Sequence, residues 1–203
     1  MAATDATLRG EVLGTYRALP ARVLGWVMVG CAGVLAALTV WDLLSGHRDG
    51  AVGAVAFVVG IAAAAWVLFL RPRAVLHEDG VLLVNVVRDT AVPFAAVDEV
   101  THQWALELHD TEGRRHSAWA VPAKRERSRP TPVDDFAQTT RRRGDGGTSA
   151  QTVADEVQRA LQRWRLDGGQ LEEGATAVTS TPARPALAAL ALAVLLAVLA
   201  VLL

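Results

Sequence analysis

The residue types able to do chemistry are few and scattered. His102, His109 and His116 are evenly spaced, and the last two flank one predicted turn. A zinc site needs three or four ligands converging from supported elements. On paired strands His109 and His116 do not lie directly opposite, so they read as exposed strand histidines. Asp134 and Asp135 are adjacent carboxylates in a Pro-containing stretch, and read as a solvated charge pair rather than an acid–base dyad. None of the five serines sits between glycines at a strand-to-helix turn, and no phosphate-cradling Gly loop with its lysine is present. Cys31 is the single cysteine, which excludes an intrachain disulfide and a thiolate metal site. The chemistry therefore points to no enzyme, no metal, no cofactor and no small-molecule substrate. One charged pattern stands out instead. From Arg114 to Arg143 nine basic residues (Arg114, Arg115, Lys124, Arg125, Arg127, Arg129, Arg141, Arg142, Arg143) face only Glu126, Asp134 and Asp135 in 123–143. Lys124 to Arg143 would be drawn to anionic lipid heads at about 1 kcal/mol per basic residue near the surface. The competing reading is a solvated linker. Trp104 and Trp119 read as core or interfacial anchors rather than a ligand platform.

The formal net charge of −1 argues against nucleic acid, whose binding depends on neutralising phosphates. The apolar residues are strongly segregated. Residues 23–44 and 51–70 are apolar blocks of about 22 and 20 residues, each long enough for a hydrocarbon core of about 30 Å. The first is too long for a signal peptide, whose apolar core is about 7 to 15 residues. Residues 45–50 are a tight reversal. Residues 186–203 contain only Ala, Leu and Val and form a third candidate span. Arg9, Arg17 and Arg22 precede the first block and Arg71 and Arg73 follow the second, whereas the connector offers only Arg48. The positive-inside rule then puts the N-terminus and residues 71–185 in the cytoplasm, with the C-terminus outside a plasma (inner) membrane. Trp26 and Trp66 are placed at the cytoplasmic interface and Trp41 at the other. Gly33 and Ala37 on the first span, and Ala56, Gly60 and Ala64 on the second, have the four-residue spacing that lets membrane helices approach closely.

Between the spans the pattern is that of small antiparallel strands. Asp79-Gly80 predicts a type I′ hairpin turn, joining 74–78 to the apolar run VLLVNVV at 81–87. That run is apolar on both faces, which suits a central strand. Pro93 restricts its strand to an edge or a start. Trp104, Leu106 and Leu108 alternate into Asp110-Thr111-Glu112-Gly113, and the return strand is 114–121. A three-residue loop would set Leu106 and Leu108 against Ala118 and His116, and a two-residue loop would set Trp104 against Trp119. Residues 123–147 read as a basic, irregular loop. Thr148 and Gln151 fit a capping box, and Val153, Val157, Ala160, Leu161 and Trp164 follow at helical spacing. Residues 1–22 read as a polar leader and 167–185 as a linker.

Five features in order carry a resemblance. They are Arg71-Pro72 at the span exit, Asp79-Gly80, Val92-Pro93-Phe94 before Val97, Gly113-Arg114-Arg115, and Ala118-Trp119-Ala120. Over about 50 residues this resembles the bacterial pleckstrin-homology (PH)-like family named for low-molecular-weight protein antigen 6, found in actinobacterial membrane proteins. The resemblance implies a curved antiparallel sheet or partial barrel over 71–122, closed by the helix of 148–166. Phosphoinositide recognition is not implied, because the loop read as the first strand connection, 77–80, is acidic. The expected protein is α+β and integral to a membrane: a two-helix hairpin, a PH-like domain and a C-terminal span. It would act as a scaffold or adaptor for a protein partner at the lipid bilayer, or sense anionic lipid through 124–143.

Overall fold

The computed structural model describes residues 8–46, 50–122, 150–169 and 176–202. The first element is a strand, β1 (Val12–Tyr16), which leads directly into helix α1 (Leu19–Leu44). Helix α2 (Ala51–Ala65) runs on through a wider π-helical turn, Trp66–Leu70. Strands β2 (Arg73–His77), β3 (Gly80–Val84) and β4 (Arg88–Pro93) follow, then a 3-10 turn at Phe94–Ala96. Strands β5 (Val97–Thr101), β6 (Ala105–Asp110) and β7 (Arg115–Pro122) come next, then helix α3 (Ala150–Leu166). Strand β8 (Thr179–Pro182) and helix α4 (Arg184–Leu202) complete the order.

The strands form two antiparallel sheets, one ordered β1-β2-β3-β4-β8 and the other β5-β6-β7. Two strands fall where leader and linker were expected. VLGTY and TSTP are too short for alternation to register, and each is a strand because it completes a neighbour's ladder. β1 bonds to β2, and β8 bonds to β4. The helices accordingly begin earlier than their apolar blocks, at Leu19 and Arg184. Because β1 precedes α1, the helical hairpin is the first connection in the sheet and the acidic turn at 77–80 is the second.

That turn is also shifted by one residue from the expected position. Leu76 pairs with Val81, so the two turn residues are Glu78 and Asp79, and Gly80 already belongs to β3. Glycine is required at 80 for room: a Cβ there would lie 2.6 Å from the Val92 carbonyl oxygen and 2.7 Å from Leu8 Cδ2. The Arg9 backbone amide donates to Asp79 Oδ2 at 2.6 Å, so this acidic turn is covered by the N-terminal segment. Pro93 ends β4, which is not an edge strand. β8 pairs only with Arg88 to Ala91, so the missing amide of Pro93 falls beyond the last rung.

One core lies between the two sheets. It takes Ala74, Leu76, Val81, Leu83 and Val92 from the first sheet and Leu106, Leu108, Ala118 and Val121 from the second. α3 closes it with Val153, Ala154, Val157, Ala160 and Leu161 on one face. Phe94 meets Trp164 with ring centroids 6.1 Å apart, a tilted pair that fixes the helix on the sheets. The central strand β3 is buried on both faces: Leu82 and Val84 join Leu8, Val75 and Ala91 in a second cluster.

Three helical stretches, Leu19–Leu44, Ala51–Leu70 and Arg184–Leu202, are long and apolar enough to cross a membrane, with mean hydropathies of 2.2, 2.4 and 2.8. Protein covers few of their residues, so most of their apolar side chains face outward. α2 packs against both α1 and α4. The small residues buried at the contact are, except for Ala56, not the expected ones. Gly33 and Ala37 are exposed, and a Cβ at Gly33 or Gly60 would meet nothing within 4 Å. The covered positions are Gly25 and Ala32 on α1 and Ala56, Ala63 and Ala65 on α2. Gly25 and Ala32, like Ala56 and Ala63, are seven residues apart, the repeat of a left-handed helix seam. Gly33 is rotated off that seam by about 100°, the angle of one helical residue. Of the expected set only Ala56 is buried, and Gly60 and Ala64 are partly covered.

Candidate binding surfaces

All three helices join the first sheet at one end. The register sets Tyr16 beside Ala74, Arg73 beside Val84, Val84 beside Asp89 and Arg88 beside Pro182. These strand ends form a row; α1 leaves it after Tyr16, α2 enters before Arg73, and α4 leaves after Pro182. Arg71 fastens the junction. Its Nη2 donates to both carboxylate oxygens of Asp89 at 2.7 Å, and its Nη1 donates to the Asn85 carbonyl. Both charged side chains are buried, so each is the other's compensation for lost water. The Ala183 amide donates to the Val87 carbonyl at 2.9 Å, and Val67, Ala183 and Ala186 pack together with Val86.

Asn85 extends this junction to the second sheet. Its Nδ2 donates to the Ser117 carbonyl at 2.9 Å, and its Oδ1 accepts from the Trp119 amide at 2.9 Å. The side chain thus does for β7 what a neighbouring strand would do, and places Trp119 at the helix end of the fold. The polar residue inside VLLVNVV was the sequence's sign of this bridge, and it was not read as one. Trp104 lies at the same end, immediately before Ala105, which pairs with Pro122. Trp119 belongs to a bulge in β7, between the pairs Leu106–Ala118 and Ala105–Pro122. Neither indole is in the core: Trp104 is 69% exposed and Trp119 66%. Val87, whose carbonyl holds the start of α4, is 48% exposed.

A cationic group occupies the β1 side of the same end. Continuing the β1–β2 register places Arg17 across from Arg73, and like charges in that position repel. Burial, then Arg73, then Arg22 lower the Arg17 pKa from its ordinary value. Arg17 Nε is buried without an acceptor, and among the described residues no carboxylate pairs with Arg17, Arg22 or Arg73. Beside it a surface depression follows one face of α1, lined by Leu19, Arg22, Val23, Trp26 and Val27.

The outer edge of β1 is unpaired among the described residues. Toward its far end Val12 and Leu13 are 51% and 46% exposed. The inner side is fixed: the Tyr16 hydroxyl donates to Glu156 on α3, and burial followed by that bond raises the phenol pKa.

The β6–β7 hairpin takes the three-residue loop. Gly113 has φ +78°, and Leu106 and Leu108 face Ala118 and His116. Asp110 accepts at its carboxylate from the Glu112 and Arg114 amides at 3.0 and 2.8 Å, from Arg114 Nε at 2.9 Å and from His116 Nε2 at 3.0 Å. The His116 bond, then the Arg114 amide and guanidinium, hold this carboxyl well below its usual range. His116 is spent on this staple, His109 faces Thr101 Oγ1 at 3.4 Å, and His102 is exposed, so the three histidines diverge.

Trp26 and Trp66 lie toward the sheet end of their helices and Trp41 toward the other, all three exposed. Lys124, Arg125, Arg127, Arg129, Arg141, Arg142, Arg143, Asp134, Asp135 and Thr148 lie outside the described residues. No family model, curated protein or solved structure matches this chain.

Proposed function

We propose that this is a non-enzymatic, membrane-anchored protein that displays a PH-like β module to the cytoplasm as a scaffold for a protein partner. Support for the PH-like reading is the run of β1 to β4 packed on β5 to β7 and closed by α3. β8 and the helical hairpin between β1 and β2 are additions to that plan. Support for the placement is the union of all three apolar helices with one end of the sheet, from which α1 and α4 both lead away. The observation that carries partner binding is the edge of β1, unpaired among the described residues, with Val12 and Leu13 exposed. An unpaired edge offers backbone donors and acceptors to an added strand, and flanking apolar side chains give it specificity.

A second reading is favoured by Arg17, Arg22 and Arg73, cations that no carboxylate among the described residues pairs with, grouped where the helices enter: the module senses anionic lipid. The two readings part in one experiment on the full chain. A photo-crosslinking residue at Thr15 should give a discrete protein adduct in native membranes, absent from the same probe at Ser180 on the opposite edge. Val12→Lys/Leu13→Lys should abolish it, since edge lysines block strand addition. Equal adducts at both edges, or none, would overturn the scaffold reading. Thermal stabilisation by phosphatidylglycerol but not phosphatidylcholine, lost in Arg17→Gln/Arg73→Gln, would then favour the lipid reading.

A further inference from the structure

The exposed pair Trp104 and Trp119 has no role in the strand-addition edge, which lies on the first sheet. We infer that these two indoles, with Val87, rest in the headgroup layer of the bilayer that the protein's own helices cross, and so set the second sheet down on the membrane. The inference rests on the reading of the helices as spans.

Its geometry is a short chain of contacts. Arg71 follows Leu70 directly, and its backbone amide is held by the Trp66 carbonyl at 2.8 Å. Its side chain reaches the Asn85 carbonyl, and the Asn85 side chain reaches the Trp119 amide. Two side chains therefore separate the end of α2 from Trp119. Val87 is closer still, bonded through its backbone to the residue before α4. These three large apolar side chains are exposed at one end of the fold, whereas Leu106, Leu108, Ala120 and Val121 of the same strands are buried. Indole suits this place: its ring prefers the boundary between acyl chains and water, where its N–H still finds an acceptor. A protein could cover the same patch, but its continuity with three emerging helices favours lipid.

The test uses the full chain in phosphatidylcholine vesicles whose acyl chains are brominated close to the headgroup. Trp26→Phe/Trp41→Phe/Trp66→Phe leaves Trp104, Trp119 and Trp164, the last packed on Phe94 as a baseline. The emission lost on adding Trp104→Phe/Trp119→Phe then belongs to the pair. That emission should be blue-shifted, quenched by brominated lipid as strongly as a variant retaining Trp66, and little affected by aqueous iodide. Quenching by iodide but not by brominated lipid would overturn the inference and leave the patch to a protein. A variant retaining Trp41 in the same vesicles reports insertion of the helices. If Trp41 is quenched and the pair is not, only the docking fails; if neither is quenched, the spanning reading fails with it.

Discussion

Asp110 shows how a single carboxylate can set a hairpin. It is the last residue of β6, and four hydrogen bonds from Glu112, Arg114 and His116 converge on it across the three-residue loop. Because its pKa is lower in the folded state than in the unfolded chain, the unfolded state binds more protons as the medium is acidified. The staple is therefore fully present above the ordinary carboxylate value of about 3.9, and fades as the pH falls through the lower folded value. Asp110→Asn removes that dependence. In detergent at neutral pH the variant should melt below the parent, and the gap should close as the pH drops under about 4. A gap unchanged across that range would mean that the carboxylate contributes shape rather than charge.

At the scale of elements, the small-residue argument has a sharp test. The seam of α1 runs through Gly25 and Ala32, whereas Gly33 faces outward. Ala32→Leu forces added volume into a filled contact and should cost about 1–3 kcal/mol. Gly33→Leu should change stability by no more than about 0.5 kcal/mol, as substitutions away from packed contacts do. Thermal melting of both variants in detergent decides it, and a larger loss for Gly33→Leu would restore the other stripe. The case also shows where sequence reasoning ran out. The hydropathy of 23–44, 51–70 and 186–203 announced helices directly, because length and apolarity need no partner to be legible. Which face of a uniformly apolar helix meets its neighbour has no such mark, since polar and apolar sides do not differ. β1 and β8 were hidden for a related reason. Five and four residues carry too little pattern, and their strand character comes from β2 and β4, which are distant in sequence. The Leu106–Ala118 register was open until the loop length was known. Asn85 was visible as an amide in an apolar run, yet its two backbone partners could only be found once β7 was in place.

For the whole molecule, the question is what makes helices and sheets one body. Three chain crossings, at 17–18, 71–72 and 183, all lie at one end, and each is too short to act as a free tether. Arg71 and Asp89 stand at the middle crossing, both buried, with Asn85 carrying the connection on to β7. A buried pair of this kind adds little over a well-packed apolar substitute, but a survivor left without its partner is costly. Arg71→Met should therefore lower stability by about 3–5 kcal/mol, and Arg71→Met/Asp89→Leu should recover most of it. If the pair also orients the sheets, the two variants will differ in a second respect. The single variant, with Asp89 seeking water, should loosen β4 against β8 and expose the region around Val87 to protease, while the double variant stays resistant. Equal protease sensitivity in both would show that the short crossings alone fix the geometry. Either result bears on the membrane surface, because the Trp119 amide is held at the helix end by the Asn85 side chain, and the Asn85 carbonyl by Arg71. A looser junction would lift the second sheet, and the emission of Trp104 and Trp119 would shift toward that of water-exposed indole in the single variant alone.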